Sequence, residues 1–186
     1  MTSITPEYSL ILKHMHESRP PDKKWGSTGA RNAGDQIASI LRGRSRIRSV
    51  LDYGAGQGSL GVACKYWDGE WVDYDPGIPG IDKLPERSFD MIVSSDVLEH
   101  VEPECIDDVI VWMKAHATQC MYHHIACDPC GLTLPDGRNA HLITERLEWW
   151  RAKFETPGWT IMEAGDILVR KRGSLRRHCT LFLDRS

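Results

Sequence analysis

Val50-Leu51-Asp52-Tyr53-Gly54-Ala55-Gly56-Gln57-Gly58, followed by Ser59-Leu60-Gly61, is the stretch that decides the fold. Residues 50–53 read as a short buried strand, three alternate glycines follow at once, and residues 60–67 read as a helix. A strand that opens through glycines into a helix turns backbone N–H groups and a positive dipole end toward a ligand. Small residues there allow close approach, which a side chain would block. Two registers overlap. Gly56-x-Gly58-x-x-Gly61 fits the dinucleotide pattern, but in that pattern the strand runs straight into the first glycine. Here the strand runs into Gly54, which leaves Asp52 two residues before the first glycine.

Working outward, Trp71–Asp75 is a second strand stopped by Pro76-Gly77, and Phe89–Ser94 is a third. Pro103, flanked by Glu102 and Glu104, suits a helix start, with Ile106, Val109, Ile110 and Met113 as its apolar face. Cys120–Ala126 follows as a strand. Thr144 can cap a helix that buries Leu147, Trp150 and Phe154. Trp159–Val169 and Cys179–Leu183 are β-like runs joined by a basic, glycine-containing turn. Upstream, Tyr8, Leu12 and Met15 mark a helix over residues 6–15. Residues 18–29 read as loop. Ala33, Ile37, Ile40 and Leu41 mark a second helix ended by Gly43. Strands that alternate with helices define an α/β protein with a mostly parallel sheet and a terminal antiparallel hairpin. The expected organisation is a helical arm or lid over residues 1–48 on a single core over residues 49–186.

The Gly54 register, together with the segment FDMIVSSDVLEHV at residues 89–101, resembles the class I S-adenosylmethionine (SAM) methyltransferases over roughly residues 49–184. The segments YDPGIPG and DVLEHVEPE also resemble small uncharacterised methyltransferase-like proteins of bacteria and phages, which supply no substrate. The resemblance implies a Rossmann-like fold and SAM as cofactor. Asp52, Gly54, Ala55, Gly56 and Gly58 would approach the methionine part. An acid closing the second strand would take the ribose hydroxyls, since a carboxylate can accept two hydrogen bonds from a diol. Asp75 is preferred over Asp73 because it stands nearer the carboxyl end of the strand. Asp96 and Val97 would lie where donor and acceptor meet. Only 13 residues separate Asp75 from Phe89, too few for the family's usual helix, strand and helix. The sheet is therefore expected to be truncated to about six strands, with Ile81 and Asp82 left to cover the adenine. Residues 25–29 (WGSTG) and Arg31 are candidates to close over the donor in place of the missing elements.

The sulfonium already activates the methyl group, so alignment and water exclusion dominate, and a base helps only where the acceptor must lose a proton. The D/N-P-P-Y/F segment of exocyclic-amine methyltransferases is absent; Ser95-Asp96-Val97-Leu98 occupies its place. His141, His124 and Asp96 are the candidate catalytic residues, and Arg138, Asn139 and His100 the candidate substrate contacts, from the polar loop 132–142 and the third strand's end. Asp96-x-x-Glu99-His100 with His141 resembles small-RNA 3′-end ribose 2′-O-methyltransferases. That likeness implies a divalent metal on Asp96, Glu99, His100 and His141, an alternative that is not favoured. Cys127-x-x-Cys130 near His123, His124 and His141 would suit zinc or a nucleophilic thiol, but a buried reduced role is preferred. Arg170-Lys171-Arg172 and Arg176-Arg177, with Arg42, Arg44, Arg46 and Arg48, could form one basic surface for phosphates.

Composition sets outer bounds. The chain has 186 residues, a net charge of −3 and six cysteines, which fits one ordinary globular domain and argues against bulk nucleic-acid binding through uniform positive charge. No apolar run reaches a membrane span, and no secretory leader is visible, so a cytoplasmic protein with reduced cysteines is expected. The expected function is methyl transfer to a polar acceptor: a small metabolite, a nucleotide or a nucleic-acid end. A SAM-binding partner subunit without catalysis is the competing class, and the oligomeric state is left open.

Overall fold

A computed structural model describes residues 4–18, 26, 29–171 and 173–186. Helices α1 (Pro6–Glu17) and α2 (Gly29–Gly43) precede β1 (Ser49–Tyr53), α3 (Ser59–Ala63), β2 (Glu70–Tyr74) and β3 (Phe89–Ser95). A 3-10 turn at Leu98–His100 leads to α4 (Ile106–His116), β4 (Ala117–Ala126), α5 (Leu147–Phe154), β5 (Trp159–Lys171) and β6 (Ser174–Arg185). The sheet has six strands in the order β2-β1-β3-β4-β6-β5. The first four are parallel, and β6 runs antiparallel to both β4 and β5. This is the truncated Rossmann-like sheet with a closing hairpin that the strand count implied.

Parallel strands must be covered on both faces, and two separate apolar clusters do so. Leu51, Ile92, Met121 and Leu183 point toward α4 and α5, where Ile110, Met113, Trp150 and Phe154 are buried. Val50, Met91, Val93 and Cys120 point the other way, toward Ala33, Ile37 and Leu41 of α2 and Leu60 of α3. α2 thus completes the second face of the sheet. α1 sits apart: Tyr8, Leu12 and Met15 pack on Leu134 and Ala140 of the 127–146 loop. Thr5 anchors its start, donating through its N–H at 2.8 Å and its hydroxyl at 2.9 Å to the Glu102 carboxylate.

Several expected boundaries move. α4 begins at Ile106 rather than Pro103, because residues 102–105 close a turn through Cys105 N–H to Glu102 C=O at 2.8 Å. α5 begins after Arg146 without a side-chain cap, so Thr144 does not cap it. α3 stops at Ala63, four residues short, and the chain continues to Trp67 in turns. Residues 75–88 contain no helix or strand, so β2 is an outer strand of the sheet.

Candidate functional site

The carboxyl ends of β1, β3 and β4 open into a cavity of about 680 Å³, a size usual for small-molecule sites. The loop after β1 forms its floor. Asp52, Gly54, Ala55 and Asp75 line it on one side, Asp96 and Val97 in the middle, and His100, Cys130, His141 and His178 on the other. α1 supplies a wall through Tyr8, Leu12 and His16.

Three consecutive alternate glycines take left-handed backbone, with φ of 80° at Gly54, 55° at Gly56 and 68° at Gly58. Each is glycine for a protein contact as well as for conformation. A Cβ at Gly54 would stand 2.5 Å from Val97 Cγ2, and one at Gly56 would stand 2.7 Å from Gly26 Cα. Gly26 C=O also accepts from Gln57 N–H at 3.1 Å. Gly26 therefore lies on the glycine loop, and Gly56 and Gly58 themselves do not line the cavity.

Asp52 is buried, and its Oδ2 has no hydrogen-bond partner. Burial, reinforced by the neighbouring Asp73 and Asp75 carboxylates, pushes its pKa well above the ordinary range. Such a group lacks a cationic or donor partner. The two candidate ribose acids separate. Asp75 lines the cavity, its carboxylate accepting from Gly56 N–H and Gly77 N–H, each at 2.9 Å, with His16 Nε2 3.6 Å away. Asp73 accepts from the Trp71 indole at 2.9 Å outside the cavity lining. Asp82, expected over the adenine, is exposed, accepts from Gly80 N–H at 3.3 Å and is not a lining residue of the cavity. Arg31 is exposed on α2 and is likewise not a lining residue; Trp25, Ser27 and Thr28 lie outside the described residues.

Asp96 adopts φ 55° without being glycine, a conformation retained where surrounding structure over-determines it. Asn32 Nδ2 donates to its Oδ2. His124 Nδ1 lies 3.0 Å from its Oδ1, and His178 Nδ1 lies 3.5 Å from the same oxygen, an ion-pair separation rather than a hydrogen bond. Burial opposes ionisation of Asp96, but these two imidazoles outweigh it and hold the carboxyl well below its usual range. His124 is aimed into this cluster and is not a lining residue, whereas His178 is. His123 points to the opposite face, stacked on Phe154 with ring centres 4.6 Å apart.

The four expected metal ligands do not form one group. Glu99, His100 and His141 gather with ligand atoms within 4.8 Å, while Asp96 gathers with His124 and His178. Among the described residues neither group takes in Cys127 or Cys130, so the zinc reading of that pair finds no cluster. Glu99 is fully buried. Burial and then the Asp96 charge push its pKa up to about 8, and Oε2 has no hydrogen-bond partner. Cys130 lies beside His141, whose interaction, working against burial, brings the thiol down to about 7.

Arg138 and Asn139, the expected substrate contacts, bond within the loop and are not among the cavity's lining residues. Arg138 pairs with Asp136 at 2.7 Å and covers the Tyr8 ring. Asn139 staples the loop, its side-chain amide donating to Cys130 C=O at 2.8 Å and its oxygen accepting from His141 N–H at 2.9 Å. The expected basic surface is also divided. Arg42–Arg48 precede β1 at the amino end of the sheet, where Arg44 holds Asp184. Arg176 and Arg177 line the cavity at the carboxyl end.

Comparison with solved structures places this fold. Magnesium protoporphyrin IX methyltransferase from Synechocystis PCC 6803, with bound S-adenosylhomocysteine, superposes with a TM-score of 0.63 at 18% identity, over 86% of this chain and 84% of that one. The 1,6-didemethyltoxoflavin-N1-methyltransferase of Burkholderia thailandensis gives 0.64 at 17% identity, over 97% and 89%. The N-methyltransferase NodS of Bradyrhizobium japonicum WM9 gives 0.59 at 12% identity, over 94% and 96%. No protein-family model matches the chain, and no curated protein matches it significantly. The fold is that of the class I SAM-dependent methyltransferases. No helix among the described residues is long and apolar enough to cross a membrane.

Proposed function

We propose that the chain is a SAM-dependent methyltransferase that binds its donor between the glycine loop and Asp75 and accepts a polar substrate on the His100–His178 side of the cavity. One observation supports this above the others: the buried Asp52 carboxyl has an unpartnered oxygen beside a glycine turn that leads into the cavity. A bound donor supplies an ammonium for that carboxyl and a methyl group already activated by a sulfonium. Asp52 then orients the amino-acid end, and Asp75 receives the ribose. The turn's small residues Gly54 and Ala55 leave room for the donor's close approach, and α1 excludes water from above. Asp96 and Val97 set the floor beneath the transferred methyl. None of this requires a covalent intermediate on the protein.

The test is calorimetric titration with SAM. Asp75→Ala should weaken binding by about 1.5–3 kcal/mol, the range for hydrogen bonds to a charged group, whereas Asp73→Ala should leave it unchanged. The reverse result would move the ribose to Asp73. Incubation of fractionated metabolite and RNA pools with methyl-labelled SAM then identifies the acceptor; a protein that binds SAM and labels nothing is a partner subunit.

A second reading is a metal-assisted ribose methyltransferase. Glu99, His100 and His141 support it, since Nδ1 of each histidine meets a backbone carbonyl at 2.6 Å, Ala140 for His100 and Asp128 for His141. Such carbonyl contacts orient ligating histidines in metal sites. Methylation of short RNA that disappears on chelation and returns with Mn²⁺ would favour this reading over the first.

A further inference from the structure

We propose that His178 is the base that takes the proton from a hydroxyl acceptor, with Asp96 as its positioning residue. The proposal rests on the methyltransferase reading above and names the acceptor chemistry of that site. His178 stands on β6 at the register position opposite Ala126, the last residue of β4, so its ring reaches the carboxyl edge of the sheet where β3 delivers Asp96. Both residues line the cavity. His178 is 2% exposed, and its Nδ1 is buried, 3.5 Å from Asp96 Oδ1 and without a hydrogen bond. A neutral imidazole beside a carboxylate places its proton on the nitrogen facing that carboxylate. Nε2 is then the ring nitrogen with a lone pair. Contacts of this kind commonly shorten only once substrate is bound.

The rest of the cluster fixes Asp96 for this task. Asn32 holds Oδ2, and His124 Nδ1 occupies Oδ1 at 3.0 Å. The Asp96 N–H donates to His124 C=O at 2.8 Å. The His124 ring lies 4.8 Å from that of His178 and tilted by 34°, which limits rotation of both. A carboxylate held ionised at this point stabilises an imidazolium when the proton arrives. The base has a use only where the acceptor still carries a proton, which excludes a pyridine-type nitrogen, and a hydroxyl, the weakest nucleophile among proton-bearing acceptors, gains most from it. In the step, the acceptor oxygen bonds the methyl carbon, and the carbon–sulfur bond breaks with its electron pair left on sulfur. The acceptor proton passes to His178 Nε2 and leaves to water after product release.

The experiment uses the full chain, tritiated-methyl SAM and fractionated metabolite and RNA pools, with labelled products located by mass spectrometry. The label should fall on oxygen. His178→Ala should slow that transfer by about 10²–10⁴-fold while the calorimetric SAM Kd stays within about threefold, and added imidazole should restore part of the rate. Where His178→Ala fails to fold, His178→Gln replaces it. Asp96→Asn combined with His178→Ala should be no slower than the worse single variant, because both act through one proton transfer. Unchanged transfer in both His178 variants, a multiplicative double variant, label on any atom other than oxygen, abolition by chelator, or no labelled product would each overturn the proposal. Loss of SAM binding by the unaltered protein is the separate result that would remove the donor reading itself.

Discussion

Gly56→Val should weaken SAM binding by roughly 10²–10⁴-fold. Gly56 has φ 55° and a Cβ there would stand 2.7 Å from Gly26 Cα. Valine, β-branched and stiff, is strained in left-handed backbone by about 1–3 kcal/mol. It cannot be seated without pushing Gly26 off the loop and tilting the Gly56 amide away from Asp75, to which it donates at 2.9 Å. The turn and its ribose acid would then both be misplaced. Two lost contacts to charged groups, at about 1.5–3 kcal/mol each, raise Kd by roughly 10²–10⁴-fold. Calorimetry measures the loss, and a melting curve separates it from unfolding. Gly26→Ala should reproduce part of the defect from the other partner, since Gly26 also has φ 73°. Unaltered affinity in Gly56→Val would mean that the donor does not rest on this turn.

Acid should destabilise the protein through His123. This imidazole is fully buried, with Ser94 Oγ 2.8 Å from its Nδ1 and its Nε2 unpartnered. Burial, with a smaller push from Lys114, brings its pKa down to about 3, against about 6.5 in an unfolded chain. As pH falls below 6.5 the unfolded chain takes up a proton that the folded one refuses until about 3. Stability is therefore present above pH 6.5 and drains away through that window. At about 1.4 kcal/mol per unit, His123 alone removes about 2–3 kcal/mol between pH 7 and 4.5, and roughly 4 kcal/mol by the bottom of the window. Replacing Ser94 with Ala and His123 with Phe together exchanges the polar pair for apolar groups beside Phe154 and leaves no orphaned hydroxyl. Urea unfolding at pH 7 and at pH 4.5 should show a smaller stability difference for the double variant by that amount. An equal difference in both proteins would mean that His123 accepts its proton in the folded state.

The parts of the fold legible in the sequence are those encoded locally. Residues 50–61 announce strand, turn and helix by composition alone, and the shortness of 76–88 announces the missing strand. The preference for Asp75 over Asp73 also follows from position at a strand end, and Asp75 is the acid that lines the cavity. What was not legible depends on long-range register. His178 is 82 positions from Asp96, and only the antiparallel pairing of β6 with β4 brings it there. Gly26 meets Gly56, 30 positions away, in a contact that leaves no periodic signal. Arg138 and Asn139 look like substrate contacts in the sequence because they are polar and sit in a loop at the carboxyl edge of the sheet. Their partners, Asp136 and the Cys130 and His141 backbone, consume that polarity within the loop. The basic residues appeared as one patch because sequence shows neither end of a sheet.

The most direct measurement is a crystal structure of the protein grown with S-adenosylhomocysteine. The account predicts density along the glycine turn, with the ligand's amine at Asp52, its ribose at Asp75 and its sulfur beside Asp96 and Val97. Density for the ligand elsewhere, or a cavity filled by the side chains of α1 with none bound, would contradict it.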